Sequence, residues 1–189
     1  PAADFNGEVT LSYAVTDPDG ASTLAAYTFN VASINDAPER AGEKLTLGGT
    51  QEDNTFTITE TQLLAGYTDA DGDTLSVSGL TLSDTNQGTL TGDAASGWTF
   101  TPTADFNGTV SLNYSISDGQ GATNSDTSVT NTFQVFSVND APVFDSNSAT
   151  AITGAQEDNT VSFSTADLLS GFSDVESLAS ALSVEGLSA

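Results

Sequence analysis

Apolar and polar residues alternate with a period of two along much of this chain. Val110, Leu112, Tyr114 and Ile116 alternate with Ser111, Asn113, Ser115 and Ser117, the pattern of a strand with one face buried and the other in water. Val9, Leu11, Tyr13 and Val15 repeat that pattern near the start of the chain. Shorter pairs at the same spacing are Phe56 with Ile58, Leu75 with Val77, Leu80 with Leu82, Trp98 with Phe100, and Phe133 with Val135. Ser and Thr fill the outward positions, and Gly, Asn and Asp separate the runs. The spacing predicts strands near 44–47, 55–59, 75–78, 89–91, around Trp98 and Phe100, at 109–117 and at about 130–138. One helical turn is expected around 61–65, with a copy around 166–170. In the last strand the apolar phase slips, from Phe29 and Val31 to Ile34 and from Phe133 and Val135 to Val138, which a bulge or the strand's exit would produce. Short strands punctuated by turns predict an all-β sandwich of two antiparallel sheets. Trp98 and the Phe and Tyr positions read as core residues rather than a sugar-stacking platform. The polar stretch 83–97 reads as ordinary turns.

The strand pattern belongs to a longer repeat. Pro1-Ala2-Ala3-Asp4-Phe5-Asn6-Gly7 returns as Pro102-Thr103-Ala104-Asp105-Phe106-Asn107-Gly108, an offset of 101. Asn35-Asp36-Ala37-Pro38 returns at an offset of 104, as Asn139-Asp140-Ala141-Pro142. Gln51-Glu52-Asp53-Asn54 and Leu63-Leu64-Ala65-Gly66-Tyr67 each return at 105. Three residues are added between Asp118 and Asn139 and one more before the second Gln-Glu-Asp-Asn, insertions of the size that loops absorb. Four blocks in register identify tandem units joined head to tail. Residues 1–40 are then the C-terminal part of one repeat, 41–142 a complete repeat, and 143–189 the N-terminal part of the next. With no Met at its start, the chain is expected to be a stretch of a longer array. Each partial repeat is expected to expose a sheet edge.

Composition narrows the chemistry. There is no Cys and no His, which removes disulfides, a thiol nucleophile, a Ser-His triad and an ordinary zinc site. Arg40 and Lys44 stand alone against 26 acidic residues, for a net charge of −24. Such a chain repels phosphate backbones and anionic membrane surfaces, and no apolar run is long enough to span a bilayer. Its expected ligands are cations.

The acidic residues are concentrated in the repeated motifs at strand ends. Alternating strand directions place the loop Asp69-Ala70-Asp71-Gly72-Asp73 and Asp118 at one pole of the sandwich, and Glu52, Asp53, Asp105, Asn139 and Asp140 at the other. Stacking repeats head to tail then predicts two junctions. One gathers Asp4, Asn35, Asp36, Asp69, Asp71, Asp73 and Asp118; the other gathers Glu52, Asp53, Asp105, Asn139, Asp140, Asp174 and Glu176. Like charges packed this way repel unless a cation neutralises them. Calcium suits hard oxygen donors in flexible geometry, whereas magnesium demands a stricter octahedron and keeps its waters. The competing reading is a solvated acidic surface in a salt-adapted protein. An EF-hand is excluded, because the twelfth position from Asp69 is Leu80 rather than Glu and no helices flank the loop. In the third copy Asp174-Val175-Glu176-Ser177 replaces the D-x-D-G-D run, with no Gly and one carboxylate fewer.

Taken together, the QEDN-type turn, LLAGYTDADGD, FTPTADFNG, SLNYSISDGQG and VNDAP in this order resemble the cadherin-like tandem repeats of large bacterial RTX adhesins. The resemblance covers essentially the whole chain. It implies an immunoglobulin/cadherin-like sandwich, calcium between repeats, type I secretion to the bacterial cell surface, and a role in adhesion or biofilm formation. The expected function is that of a calcium-rigidified extender, with neighbouring repeats of the same chain as partners and a host or biofilm surface met through other domains. A repeat that itself binds a glycan or host protein is the alternative. The chain is not expected to be an enzyme: paired carboxylates recur once per repeat, and no cleft-forming insertion is visible.

Overall fold

In the computed structural model, which describes residues 1–121 and 129–188, the chain divides into two compact units, Pro1–Val135 and Phe136–Ala189. The first unit opens with a hairpin of β1 (Gly7–Thr16) and β2 (Ser22–Val31), paired antiparallel along its length from Gly7 opposite Val31 to Thr16 opposite Ser22. Asp17 closes the turn by accepting the amides of Asp19 and Ala21 through Oδ1, at 3.0 and 2.8 Å. A linker then leads through the short β3 (Glu39–Arg40) into the sandwich.

The sandwich contains β4 (Gly49–Gln51), β5 (Phe56–Ile58), helix α1 (Glu60–Leu64), β6 (Tyr67–Thr68), β7 (Ser76–Leu82), β8 (Gly88–Asp93), β9 (Gly97–Pro102), β10 (Gly108–Ser117) and β11 (Val129–Phe136). Its two sheets have the orders β4-β11-β10-β7 and β5-β9-β8. The alternation read along 110–117 is realised in β10, where Val110, Leu112, Tyr114 and Ile116 are buried and the residues between them are half-buried. Facing them are Ile58, Trp98 and Phe100, with Leu47, Leu63, Val77, Val129, Phe133 and Val135 completing the core. Phe133 stacks on Phe56 at 4.6 Å and meets Phe100 edge-on at 5.1 Å. Burying each of these large side chains contributes about 1.5–3 kcal/mol relative to exposure. The Tyr114 hydroxyl would be costly in this core without a partner, and it donates to the Leu63 carbonyl at 3.1 Å. Burial pushes its pKa up to about 12.

The expected helical turn forms in both copies, and each has a reciprocal cap. The Thr59 hydroxyl accepts the Gln62 amide while the Gln62 side chain accepts the Thr59 amide at 2.8 Å. Ser164 and Asp167 repeat the arrangement ahead of α2 (Thr165–Leu169). In the second unit, β12 (Val143–Phe144) pairs with β13 (Phe172–Ser173), the counterpart of β3 with β6.

Three expectations need correction. The first strand of the sandwich is Gly49–Gln51, not 44–47. Residues 44–48 still run alongside β11 in the same direction, but side chains replace part of the ladder. Lys44 Nζ donates to the Thr130 carbonyl at 2.8 Å, and Asn131 Nδ2 to the Leu45 carbonyl at 3.3 Å. The apolar slip in the last strand is an exit rather than a bulge, because β11 ends at Phe136 and β2 at Val31. The irregularity lies instead between β7 and β10, around Tyr114, where Gly79 supplies the φ of +64° the extra residue needs. Phe136, at 56% exposure, is outside the core that holds the sandwich's other aromatics. The three residues added after Asp118 fall in a stretch that includes 122–128, outside the described residues.

Candidate metal centre

The linker after the hairpin is fastened to the loop after β6 by backbone pairing. Glu39 lies opposite Thr68 and Arg40 opposite Tyr67. The amides of Ala41 and Gly42 both donate to the Gly66 carbonyl, at 3.0 and 2.9 Å. Gly66 has φ +84°, and a Cβ there would sit 2.5 Å from the Glu43 carbonyl oxygen. Only glycine fits this close approach. Pairing at this point brings Asn35, Asp36 and Pro38 against the Asp69–Asp73 loop.

The loop is shaped around Asp69. Its Oδ1 accepts the amides of Asp71 and Asp73 at 2.9 and 3.2 Å, and Gly72 turns the chain with φ +81°. Asp71 faces the linker, accepting the Asp36 amide at 2.8 Å and the Ser33 hydroxyl at 2.7 Å. These two donors hold the Asp71 carboxyl below its ordinary range, against the opposing effects of burial and Asp118. Asn35 bridges across, donating to Asp118 Oδ2 at 2.7 Å and to the Asp36 carbonyl at 3.2 Å. Asp118 is buried, and its Oδ1 accepts the Gln120 amide at 2.8 Å.

Asp4, Asp36, Glu39 and Asp69 line a cavity of about 170 Å³ with Ala37, Thr68 and Ala70. Its lining includes four carboxylates and no basic side chain. Asp36 records the consequence: burial first, then the charges of Asp4, Asp71, Asp69 and Glu39, push its carboxyl above the ordinary range. Asp69 Oδ2 is buried and has no hydrogen-bond partner, an arrangement that is costly for a carboxylate oxygen. Within the first unit, among the described residues, no three carboxylates bring oxygens within 4.8 Å of one another, so the groups surround the cavity rather than converge on one point. Hard oxygen donors around a small acidic cavity fit calcium.

Of the first predicted set, the structure thus brings Asp4, Asn35, Asp36, Asp69, Asp71 and Asp118 together. Asp73 joins through its amide. Glu39 was missed, and the repeat could not have revealed it, since Val143 holds the corresponding position. Of the second set, Glu52, Asp53 and Asp105 fall in the first unit and the rest in the second. Glu52 is buried. Asp53 and Asp105 adopt φ of 62° and 59°, as do Asp4 at 57° and Asp158 at 62°. Asp tolerates this left-handed region better than most side chains, and these four lie in two repeated motifs. In the second unit, the Asp140 amide donates to Glu176 Oε2 at 3.2 Å, Asn139 Nδ2 to the Asp140 carbonyl at 2.9 Å, and the Ser177 amide to Asp174 Oδ1 at 2.7 Å.

Fold and site together define an acidic β-sandwich repeat whose entering linker docks onto a carboxylate-rich loop. Residues 34–133, 100 of the 189, match the family of cadherin-like domains, and the chain belongs to that family. Cadherin-like domains are typically extracellular and bind calcium, so an extracellular, adhesion-type repeat agrees with this membership. No helix among the described residues is long and apolar enough to cross a membrane.

No curated protein matches the chain. Solved structures similar to it include the endo-fucoidan hydrolases MfFcnA4 and MfFcnA9 of glycoside hydrolase family 107. A variant of MfFcnA4 is 19% identical with a TM-score of 0.34, over 76% of this chain and 22% of its own. MfFcnA4 itself is 18% identical at 0.32, over 69% and 18%, and MfFcnA9 is 18% identical at 0.31, over 72% and 23%. The chain therefore spans about a fifth of their length. This finding overturns the expectation that the chain is unconnected with enzymes. At such TM-scores the likeness supplies no argument for what this chain does.

Proposed function

We propose that this chain is a calcium-rigidified extender from a large bacterial RTX adhesin, secreted by a type I system to the cell surface. In this reading 1–40, 41–142 and 143–189 are parts of three successive repeats. Their partners are neighbouring repeats, and the array projects a distal domain for adhesion or biofilm formation. The observation that carries the reading is the buried, unpartnered Asp69 Oδ2 beside a cavity ringed by Asp4, Asp36 and Glu39. Calcium, when bound, supplies the positive charge and the six to eight oxygen contacts that this acidic cavity lacks. Asp69, Asp36, Asp4 and Glu39 would hold it. Asp71 and Asn35 would keep the linker against the loop, and an ion shared by linker and loop removes the hinge's freedom.

Isothermal titration with calcium, paired with small-angle scattering, tests this. Expected are saturable binding and a maximum dimension that grows and narrows in distribution between chelator and millimolar calcium. No heat of binding together with an unchanged scattering profile would sink the proposal.

A further inference from the structure

Two apolar surfaces of this chain stand uncovered, and the complete repeat shows what fits each. The β1–β2 hairpin leaves Leu11, Tyr13 and Val15 at 53, 50 and 61% exposure, and β1 has no hydrogen-bonded neighbour besides β2. In the second unit, Leu168, Leu169, Phe172, Leu182, Val184 and Leu187 border an open cavity of about 550 Å³. Residues 182–187 form no strand there.

The internal repeat relates both surfaces to elements that are paired in the complete sandwich. At the offset of 101, β1 is the counterpart of β10, and Leu11, Tyr13 and Val15 correspond to Leu112, Tyr114 and Ile116, all buried. At the offset of 105, residues 181–187 are the counterpart of β7, and Leu168 and Phe172 correspond to Leu63 and Tyr67. In the complete repeat β10 pairs antiparallel with β7, Leu112 opposite Leu82 and Ile116 opposite Val77. Tyr114 there reaches the Leu63 carbonyl.

We propose that a second copy of this chain joins the two surfaces. The free edge of β1 in one copy adds to residues 181–187 of the other as an antiparallel strand, with Leu11 opposite Leu187 and Val15 opposite Leu182. Tyr13 enters the cavity beside Leu168. The contact continues an interface the chain already makes within its own sandwich. Main-chain hydrogen bonds supply affinity and the cavity supplies side-chain selectivity. Hairpin meets groove rather than hairpin, so the contact is head to tail and propagates instead of closing. The net charge of −24 opposes association, which therefore strengthens with salt. Nothing in this inference depends on calcium.

Sedimentation velocity of the chain at high salt tests it. The weight-average mass is expected to rise from 19.2 kDa to at least twofold as concentration increases. Ser12→Pro removes an amide on the outer edge of β1 and leaves the ladder to β2 intact. The position corresponds to Asn113, whose carbonyl faces β7 through Thr81 Oγ1 at 3.4 Å. Leu187→Asp places a charge on the accepting segment. Each variant alone stays monomeric, and an equimolar mixture forms a one-to-one complex, because each keeps the surface the other has lost. Fluorescence of Trp98, the only tryptophan, remains unchanged in both if the sandwich is intact. The chain has no cysteine, so Val15→Cys mixed with Leu182→Cys reports the register through an interchain disulfide. Constant mass at 19.2 kDa, variants that associate like the parent chain, or association without that disulfide would each overturn the proposal.

Discussion

Replacing Asp69 by Asn separates the two tasks of this carboxylate. Oδ1 accepts two loop amides, and the amide oxygen of Asn does the same with nearly the same shape. Oδ2 is buried without a partner, and Asn puts a neutral NH₂ in its place. The loop should therefore keep its form in Asp69→Asn while the cavity loses one of four lining carboxylates. A ligand that binds only the folded protein stabilises it by RT ln(1 + [L]/Kd), about 2.7 kcal/mol at 100 times Kd. For a sandwich of this size that corresponds to roughly 10–20 °C in Tm. Thermal melts followed by Trp98 fluorescence, in chelator and in millimolar calcium, read it directly. The parent chain should gain that increment with calcium, and Asp69→Asn should lose most of it while melting in chelator no lower than the parent. A variant that keeps the full calcium-dependent gain would refute the assignment of Asp69 as a ligand. One that unfolds in chelator would show that the second oxygen is structural instead.

Asp36→Asn should change sign with conditions. Its carboxyl is held above the ordinary range by burial and by Asp4, Asp71, Asp69 and Glu39, so its stabilising contribution is present below the unfolded pKa and is lost as pH rises through the folded one. Metal-free parent protein should thus lose stability as pH rises from about 4, and Asp36→Asn should flatten that loss while weakening calcium binding; a pH series of melts in both conditions checks each part. Asp71 runs the other way: its lowered carboxyl stabilises above the unfolded pKa and that stability disappears as pH falls through the folded value, so Asp71→Asn should shrink the acid-side loss in the same series. Tyr114→Phe removes the hydroxyl bonded to the Leu63 carbonyl and should cost about 1–3 kcal/mol in urea denaturation, because a buried carbonyl loses its donor. Gly66→Ala should destabilise the linker junction by more than about 1 kcal/mol, since its Cβ meets the Glu43 carbonyl at 2.5 Å and its φ is +84°; equal melting of variant and parent would refute this.

Much of the fold is legible because the signals are local. Period-two alternation in 108–117 predicts β10, and Thr59 with Gln62 carries the capping pattern that starts α1. The first strand was misplaced because two side-chain amines, on Lys44 and Asn131, take over contacts that a backbone ladder would make, and alternation cannot register that. The slip near Val138 was ambiguous for a similar reason, since an exit and a bulge leave the same trace. The site is legible as a place but not as a set of roles. Repetition points to Asp36, Asp69 and Asp71, yet only coordinates show that Asp71 spends both oxygens on the linker while Asp69 keeps one in reserve. Glu39 lay outside any repeat-based reading, because its charge occurs in one copy only.

The two linkers in this chain show which part of the junction belongs to the motif and which to the individual residue. In the first unit the Asp36 amide donates to an aspartate of the loop, Asp71; in the second the Asp140 amide donates to a glutamate, Glu176, at the corresponding place. The bond survives an added methylene and the loss of the glycine, so holding linker to loop needs only an acceptor that can reach. The charge pattern does not survive in the same way: Glu39 becomes Val143, and Asp71-Gly72-Asp73 becomes Glu176-Ser177-Leu178. Docking and cation chemistry are therefore separable properties of the repeat. The first is written in backbone amides and varies little, while the second is written in side chains and is free to differ from one joint to the next.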